Sequence, residues 1–150
     1  MLTFRLVPEM QPSTARAVGF LEGHNDLDAG AVFEGLSARD RKHFLFSVNL
    51  WVNTGRGPHE RMHGFEKPYN DYWAFKNVPR GQRFYGYLMN PKPIWDERLR
   101  ICVLTSYEQK KKDEMDYGIL DNRVRPWKDS PNAATAVAYV FPDEEDEEGQ

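Results

Sequence analysis

The chain has 150 residues, 40% of them apolar and 29% charged, a length and balance that predict one globular domain with a core of its own. Its formal net charge is −3, but Asp143–Glu148 supplies six of the 23 acids, and the remaining 17 face 20 bases, so the acidity belongs to the C-terminal end and the rest is mildly basic. The single cysteine, Cys102, excludes an internal disulfide framework and a cysteine-rich metal site. No apolar run approaches the ~20 residues of a membrane span, and the N-terminus lacks the pattern of a secretion signal, so a cytoplasmic protein is expected.

Leu2–Val7 alternates apolar and polar residues before Pro8, the pattern of a half-buried opening strand. Ser13–Leu21 reads as a short helix through Ala15, Val18 and Leu21, and Asp28–Leu36 as a second short helix capped by Asp28. Ser37-Ala38-Arg39-Asp40 has the form of a capping box. Phe44, Val48, Trp51 and Val52 follow on one helical face, and Gly55 closes that helix in a left-handed conformation. Residues 56–70 are polar and carry Gly57-Pro58, the signature of a connection.

Tyr72–Val78 and Arg83–Met89 are two strand-like runs separated by Pro79-Arg80-Gly81-Gln82, a hairpin. Within the second run Tyr85 and Tyr87 share one face and Phe84 takes the other. Residues 90–97 form a longer turn. Leu99–Thr105 is a nearly continuous apolar run, expected as a central strand, and Cys102 within it is expected as a small buried hydrophobe. A helix is expected from residue 115 or 116 to Arg125 with Ile119, Leu120 and Val124 inward, ended by Pro126. Ala133–Phe141 reads as a short return strand. Residues 1–142 are thus expected as one domain with an extended N-terminal third, and residues 143–150 as a disordered acidic tail. The fold class is α+β: a small antiparallel sheet of about four strands with helices on one face.

Between Lys76 and Lys112 the chain holds nine Lys and Arg residues against three acids. This local excess of cations, interleaved with Tyr85, Tyr87 and Tyr107, suits a surface that grips a phosphate backbone. A Lys or Arg on a strand is equally suited to guarding a solvated edge. His59 and His63 are four residues apart with no third ligand evident nearby, so no metal site is expected. Gly55-Arg56-Gly57 is too short for a phosphate-binding loop, and Ser106 has no histidine partner at a known spacing.

Taken in order, Tyr72-Trp73-Ala74-Phe75-Lys76, Arg83-Phe84-Tyr85-Gly86-Tyr87, Ile101–Ser106, Lys110-Lys111-Lys112 and Leu120-Asp121-Asn122-Arg123 resemble the RelE/ParE toxin superfamily, and within it the HigB-like, phage-associated branch. The likeness spans roughly residues 37 to 125. It implies a RelE-like fold and a metal-free, cofactor-free endoribonuclease that cleaves messenger RNA on the ribosome and is restrained by a cognate antitoxin. A non-catalytic binding protein of the same fold that modulates a host protein, or a ParE-like inhibitor of gyrase, is the alternative. The chain departs from the pattern in its long segment 8–36, its long loop 90–97 and its acidic tail. It also lacks the histidine that some HigB-like members carry near the end of the last strand.

Cleavage of RNA by its own 2′-hydroxyl requires a base, a group that stabilises the phosphorane and an acid for the leaving oxygen. Under the resemblance Lys76 is the candidate base or phosphate contact and Arg83 the candidate clamp on the phosphorane. Tyr107 stacks on a base or donates a proton, and Lys110 reaches the same groove. Arg80, Arg100, Lys111 and Lys112 are the expected RNA contacts. The whole scheme requires these side chains to converge on one electropositive hollow.

Overall fold

The computed structural model describes residues 1–91, 98–110, 117–138 and 141. Its centre is a six-stranded sheet in the order β1-β2-β6-β5-β4-β3, formed by β1 (Thr3–Leu6), β2 (Ala17–Glu22), β3 (Met62–Gly64), β4 (Tyr72–Asn77), β5 (Gln82–Met89) and β6 (Ile101–Gln109). The fold is α+β as expected, but the sheet is larger than the expected four strands, and it is mixed: β2 runs parallel to β6 while the other neighbours are antiparallel.

The extra strands explain the difference. Residues 17–22 form a strand rather than the expected helix, because Ala17, Val18, Phe20 and Leu21 are buried on alternate faces between β1 and β6. A run that is apolar on both sides belongs in the middle of a sheet. Gly19 fits the same place: a Cβ there would lie 2.5 Å from the Phe4 ring and 2.7 Å from the Arg5 carbonyl oxygen. The strand β3 is three residues long, too short to show a period within the polar connection 56–70.

Helices cover both faces of the sheet, not one. On one face α1 (Ala29–Gly35) and α2 (Ala38–Thr54) bury Phe33, Phe44, Val48, Trp51 and Val52 against Val18, Phe20, Phe75, Phe84, Cys102 and Leu104. Phe84 lies edge-on to Phe44, centroids 4.9 Å apart. The Ser37 hydroxyl caps α2 by accepting the Asp40 N–H at 3.2 Å, and Gly55 ends it at φ 75°, both as read from the sequence. Asp28 precedes α1, but its side chain makes no capping bond.

The other face is covered by a C-terminal helical layer: α3 (Tyr117–Ile119), a wide π turn at Leu120–Val124, α4 (Arg125–Lys128) and α5 (Pro131–Ala136). Ile119, Leu120 and Val124 point inward as expected and meet Tyr72, Ala74, Tyr85, Tyr87, Ile101 and Val103. Pro126 does not end this segment. It sits in the first turn of α4, where a missing N–H is tolerated. The expected strand at Ala133–Phe141 is replaced by α5, whose start carries a Ser130 hydroxyl accepting the Ala133 N–H at 3.3 Å and Pro131 as first residue. Phe141 is buried beneath this layer, and the acidic run 143–148 lies outside the described residues. No helix among the described residues is long and apolar enough to cross a membrane.

Candidate functional site

The hairpin of β4 and β5 sets Lys76 directly opposite Arg83. The turn between them is a 3-10 turn, Val78–Arg80, followed by Gly81 at φ 64°. That conformation favours glycine, and a Cβ at Gly81 would also lie 2.2 Å from the Lys110 carbonyl oxygen. The turn therefore holds the end of β6 against the hairpin, with the Lys110 N–H donating to the Gly81 carbonyl at 2.7 Å.

Two rows of side chains cross the sheet on the face opposite α2. One is Lys76–Arg83–Glu108, and the neighbouring row is His63–Ala74–Tyr85–Ser106. Ala74, in the second row, is fully buried in the core beneath the C-terminal layer, and the cleft opens beside it. The cleft has a volume of about 300 Å³, at the small end of the range for ligand sites. Lys76, Arg83, Tyr85 and His63 border it, with His59 and Glu66 from the loops flanking β3 and Tyr117 from α3.

A β-bulge decides which residues of β6 join the site. Tyr85 pairs with Ser106 and Gly86 with Leu104, so Thr105 is an extra residue. Its hydroxyl donates to the Arg123 carbonyl at 3.0 Å, tying β6 to the π turn. Without the insertion, strict alternation from Ile101 and Val103 would bring Tyr107 to the cleft face. The bulge shifts the alternation by one, placing Ser106 and Glu108 on the same face as Tyr85 and Arg83 and Tyr107 on the other.

Lys76 is 1% exposed, Arg83 5% and Tyr85 1%. Burial pushes the Tyr85 hydroxyl up to about 12; the Glu108 carboxylate adds to the rise and Arg83 opposes it. Tyr85 is thus a neutral hydrogen-bond donor near pH 7. Two buried polar atoms on this face of the sheet, Ser106 Oγ and Glu108 Oε2, have no hydrogen-bond partner among the described residues, while the Tyr85 hydroxyl interacts with Arg83 and Glu108. Such atoms are uncommon in folded proteins and mark places where a water or ligand completes the bonding. Beside them His63 and His59 stack with centroids 4.4 Å apart and 15° between planes, and His63 Nδ1 lies 2.8 Å from the Gly64 carbonyl oxygen. Two cations, neutral hydroxyls and imidazoles around one hollow can bind an oxyanion and move a proton next to it.

The other residues expected in the site lie elsewhere. Tyr107 is on the α2 face, its ring 4.9 Å from Phe84 and its hydroxyl donating to Gln109 Oε1 at 2.6 Å. Arg80 is exposed beside the start of α2, with Nε 3.6 Å from Asp40 Oδ2. Arg100 is at the far end of β6. It lies eight residue steps from Glu108, about 26 Å at ~3.3 Å per step. It is 6% exposed, donates to the carbonyls of Thr14 and Ala15 at 2.6 and 2.9 Å, and lies 3.9 Å over the Phe141 ring. Arg100 therefore clamps the entry to β2. Lys110 follows β6 and is held at the hairpin turn through its backbone. Lys111 and Lys112 lie outside the described residues.

His59, His63, Glu66 and Tyr117 border the cleft without having been picked out for it, and Ser106 and Glu108 lie on the same face of the sheet. The β3 register carries the signal for His63, since it aligns with Ala74. Among the described residues no group of three or more His, Cys, Asp or Glu side chains is placed to hold a metal ion. Comparison of the chain with protein-family models, with curated proteins and with solved structures returned no match.

Proposed function

We propose that this protein is an endoribonuclease of the RelE/HigB type that cleaves messenger RNA on the ribosome, with the cleft bordered by Lys76, Arg83, Tyr85 and His63 as its active site. The observation that carries this reading is the convergence of Lys76 and Arg83, cross-strand partners in one cleft, beside the Tyr85 hydroxyl. Arg83 is the phosphate clamp: guanidinium binds two phosphate oxygens at once. Lys76 adds a second positive charge in a site shielded from water, where it acts on the developing phosphorane more strongly than it would in solvent. Under this reading the protein acts in the cytoplasm, and a small antitoxin restrains it.

Expression of the wild type is expected to arrest growth and to leave breaks within translated messages, mapped by primer extension. Arg83→Ala is expected to lower cleavage by about 10²–10³-fold, the usual loss when an oxyanion donor is removed, while circular dichroism shows an intact fold. An Arg83→Ala, Lys76→Ala variant that remains fully toxic would end the reading.

A second reading is favoured by the row Lys76–Arg83–Glu108. A carboxylate beside two nearly buried cations is also how a sheet neutralises structural charge. In that case the protein binds a host protein without cleaving RNA, and removal of Arg83 lowers the melting temperature instead of the cleavage rate.

A further inference from the structure

We infer a second anion site, on the face of the sheet opposite the Lys76–Arg83 cleft: a cavity walled by arginines that takes a phosphate group. The site goes beyond the ribonuclease reading and does not depend on it. Arg16, Arg56, Arg98 and Arg100 border a cavity of about 360 Å³ beside Trp51 and Trp73, and no acidic side chain borders it among the described residues. Trp73 packs on the α2 face with Trp51 and Phe75, whereas Lys76, three residues on, takes the other face.

Three stretches of chain meet here. Helix α2 ends in the left-handed Gly55, and Arg56 follows it, exposed. Arg16 leads into β2, and its guanidinium lies on Gly55: a Cβ there would come within 2.8 Å of Arg16 Nε and Nη2. Arg98 and Arg100 precede β6 and add positive charge; the Arg100 guanidinium is already bonded to the Thr14 and Ala15 carbonyls, and neither residue is needed as a donor. The donors are Arg16 and Arg56. Arg16 uses one N–H on the Val52 carbonyl at 3.5 Å, and the Arg56 side chain has no hydrogen bond or ion pair among the described residues.

A helix C-terminus attracts cations, which accounts for Arg16. It accounts neither for Arg56 nor for the indole Nε1–H of Trp73, a buried donor with no partner among the described residues. Cζ3 and Cε3 of that ring face Gly64 on β3, 3.4 and 3.5 Å from where its Cβ would lie, so the Nε1 corner is the one turned away from β3. Buried donors are rarely left unpaired, and an acceptor completes such a site. Phosphate suits these donors better than carboxylate does. One guanidinium fork engages two oxygens; a carboxylate is then fully used, while a phosphate keeps further oxygens for the second fork and the indole. The arginine charge exceeds the partial charge of roughly −0.5 at the end of α2.

The test titrates the full chain with inorganic pyrophosphate and, separately, with a labelled oligoribonucleotide, at constant ionic strength set with chloride. Wild type is expected to bind pyrophosphate saturably. Arg56→Ala, and Arg16→Lys, which keeps the charge at the end of α2 but loses the fork, are each expected to weaken that binding by about tenfold or more. Trp73→Phe is expected to weaken it by about 2–10-fold, and circular dichroism to stay unchanged. Arg56 is exposed in a loop, so its variant keeps the comparison if Arg16→Lys does not fold. Lys42→Ala, near the start of α2, is expected to bind as wild type does. Weakened oligoribonucleotide binding in the same arginine variants identifies an RNA strand as the source of the phosphate, and weakening confined to pyrophosphate identifies a small phosphorylated ligand; either result supports the site. A wild type that responds to pyrophosphate no more than to chloride overturns the inference. So does a loss in Lys42→Ala equal to that in Arg56→Ala, since binding then follows net charge alone. Loss confined to Arg83→Ala also overturns it, because the anion then sits in the cleft.

Discussion

Gln82 donates to Asp40 Oδ2 at 2.8 Å and Asn77 donates to Gln82 Oε1 at 3.0 Å, so one buried carboxylate joins the start of α2 to both strands of the hairpin that carries Lys76 and Arg83. The Gln82 hydrogen bond chiefly holds the Asp40 carboxyl below its ordinary range, with Arg80 assisting and burial opposing. A carboxyl lowered on folding stabilises the protein fully above its unfolded value, near 3.9, and loses that contribution as pH falls through the lower folded value. Asp40→Ala is therefore expected to cost about 1–3 kcal/mol at pH 7, the range for a bond to a charged acceptor lost from buried amides. The gap from wild type should narrow in urea titrations below about pH 4; an unchanged gap would mean that the carboxylate does not tie the elements together. The Lys76–Arg83 pairing was legible in the sequence, because a hairpin of known turn length fixes which residues face each other. The place of His63 was not, because three residues of strand carry no readable period and their register comes only from β4.

At the scale of elements, the bulge between β5 and β6 does most to shape the site. Gly86 lies at it, and a Cβ there would be 2.0 Å from the Val103 carbonyl oxygen, a backbone atom with no room to yield. Gly86→Ala is expected to destabilise by about 3 kcal/mol, the upper end for overpacking, read as a lower urea midpoint with the transition slope unchanged. A neutral substitution would show that β5 and β6 do not approach so closely. Strands β4, β5 and β6 were readable because aromatic and β-branched residues alternate in them and Gly or Pro punctuates them. Tyr107 was not placed, because a single inserted residue at Thr105 reverses the alternation without altering the composition. Ser13–Leu21 read as a helix because Ala15, Val18 and Leu21 fall three apart; within the strand that forms instead, Gly19 is there to admit the Phe4 ring.

For the molecule as a whole, the sheet is enclosed on both sides, and Phe141 is the last described residue to hold the C-terminal layer in place. It is 0% exposed and supports the Arg100 guanidinium from below. Phe141→Ala is expected to cost about 3–5 kcal/mol, the usual price of deleting a buried aromatic side chain, and to expose the Tyr72, Tyr85 and Tyr87 face as increased intrinsic tyrosine fluorescence change on urea unfolding at a lower midpoint. Unaltered stability would mean that the layer closes without it. From its residues alone the chain specified an α+β fold, the capped helix α2, the hairpin, the central strand and a cationic stretch, since each rests on local period, capping or turn chemistry. Only tertiary contact decided that β2 enters the sheet beside β6, that helices close both faces, and that Arg100 and Tyr107 lie away from Lys76 and Arg83. Those outcomes depend on pairing between segments far apart in the chain, and a local pattern holds no record of which distant strand will satisfy its hydrogen bonds.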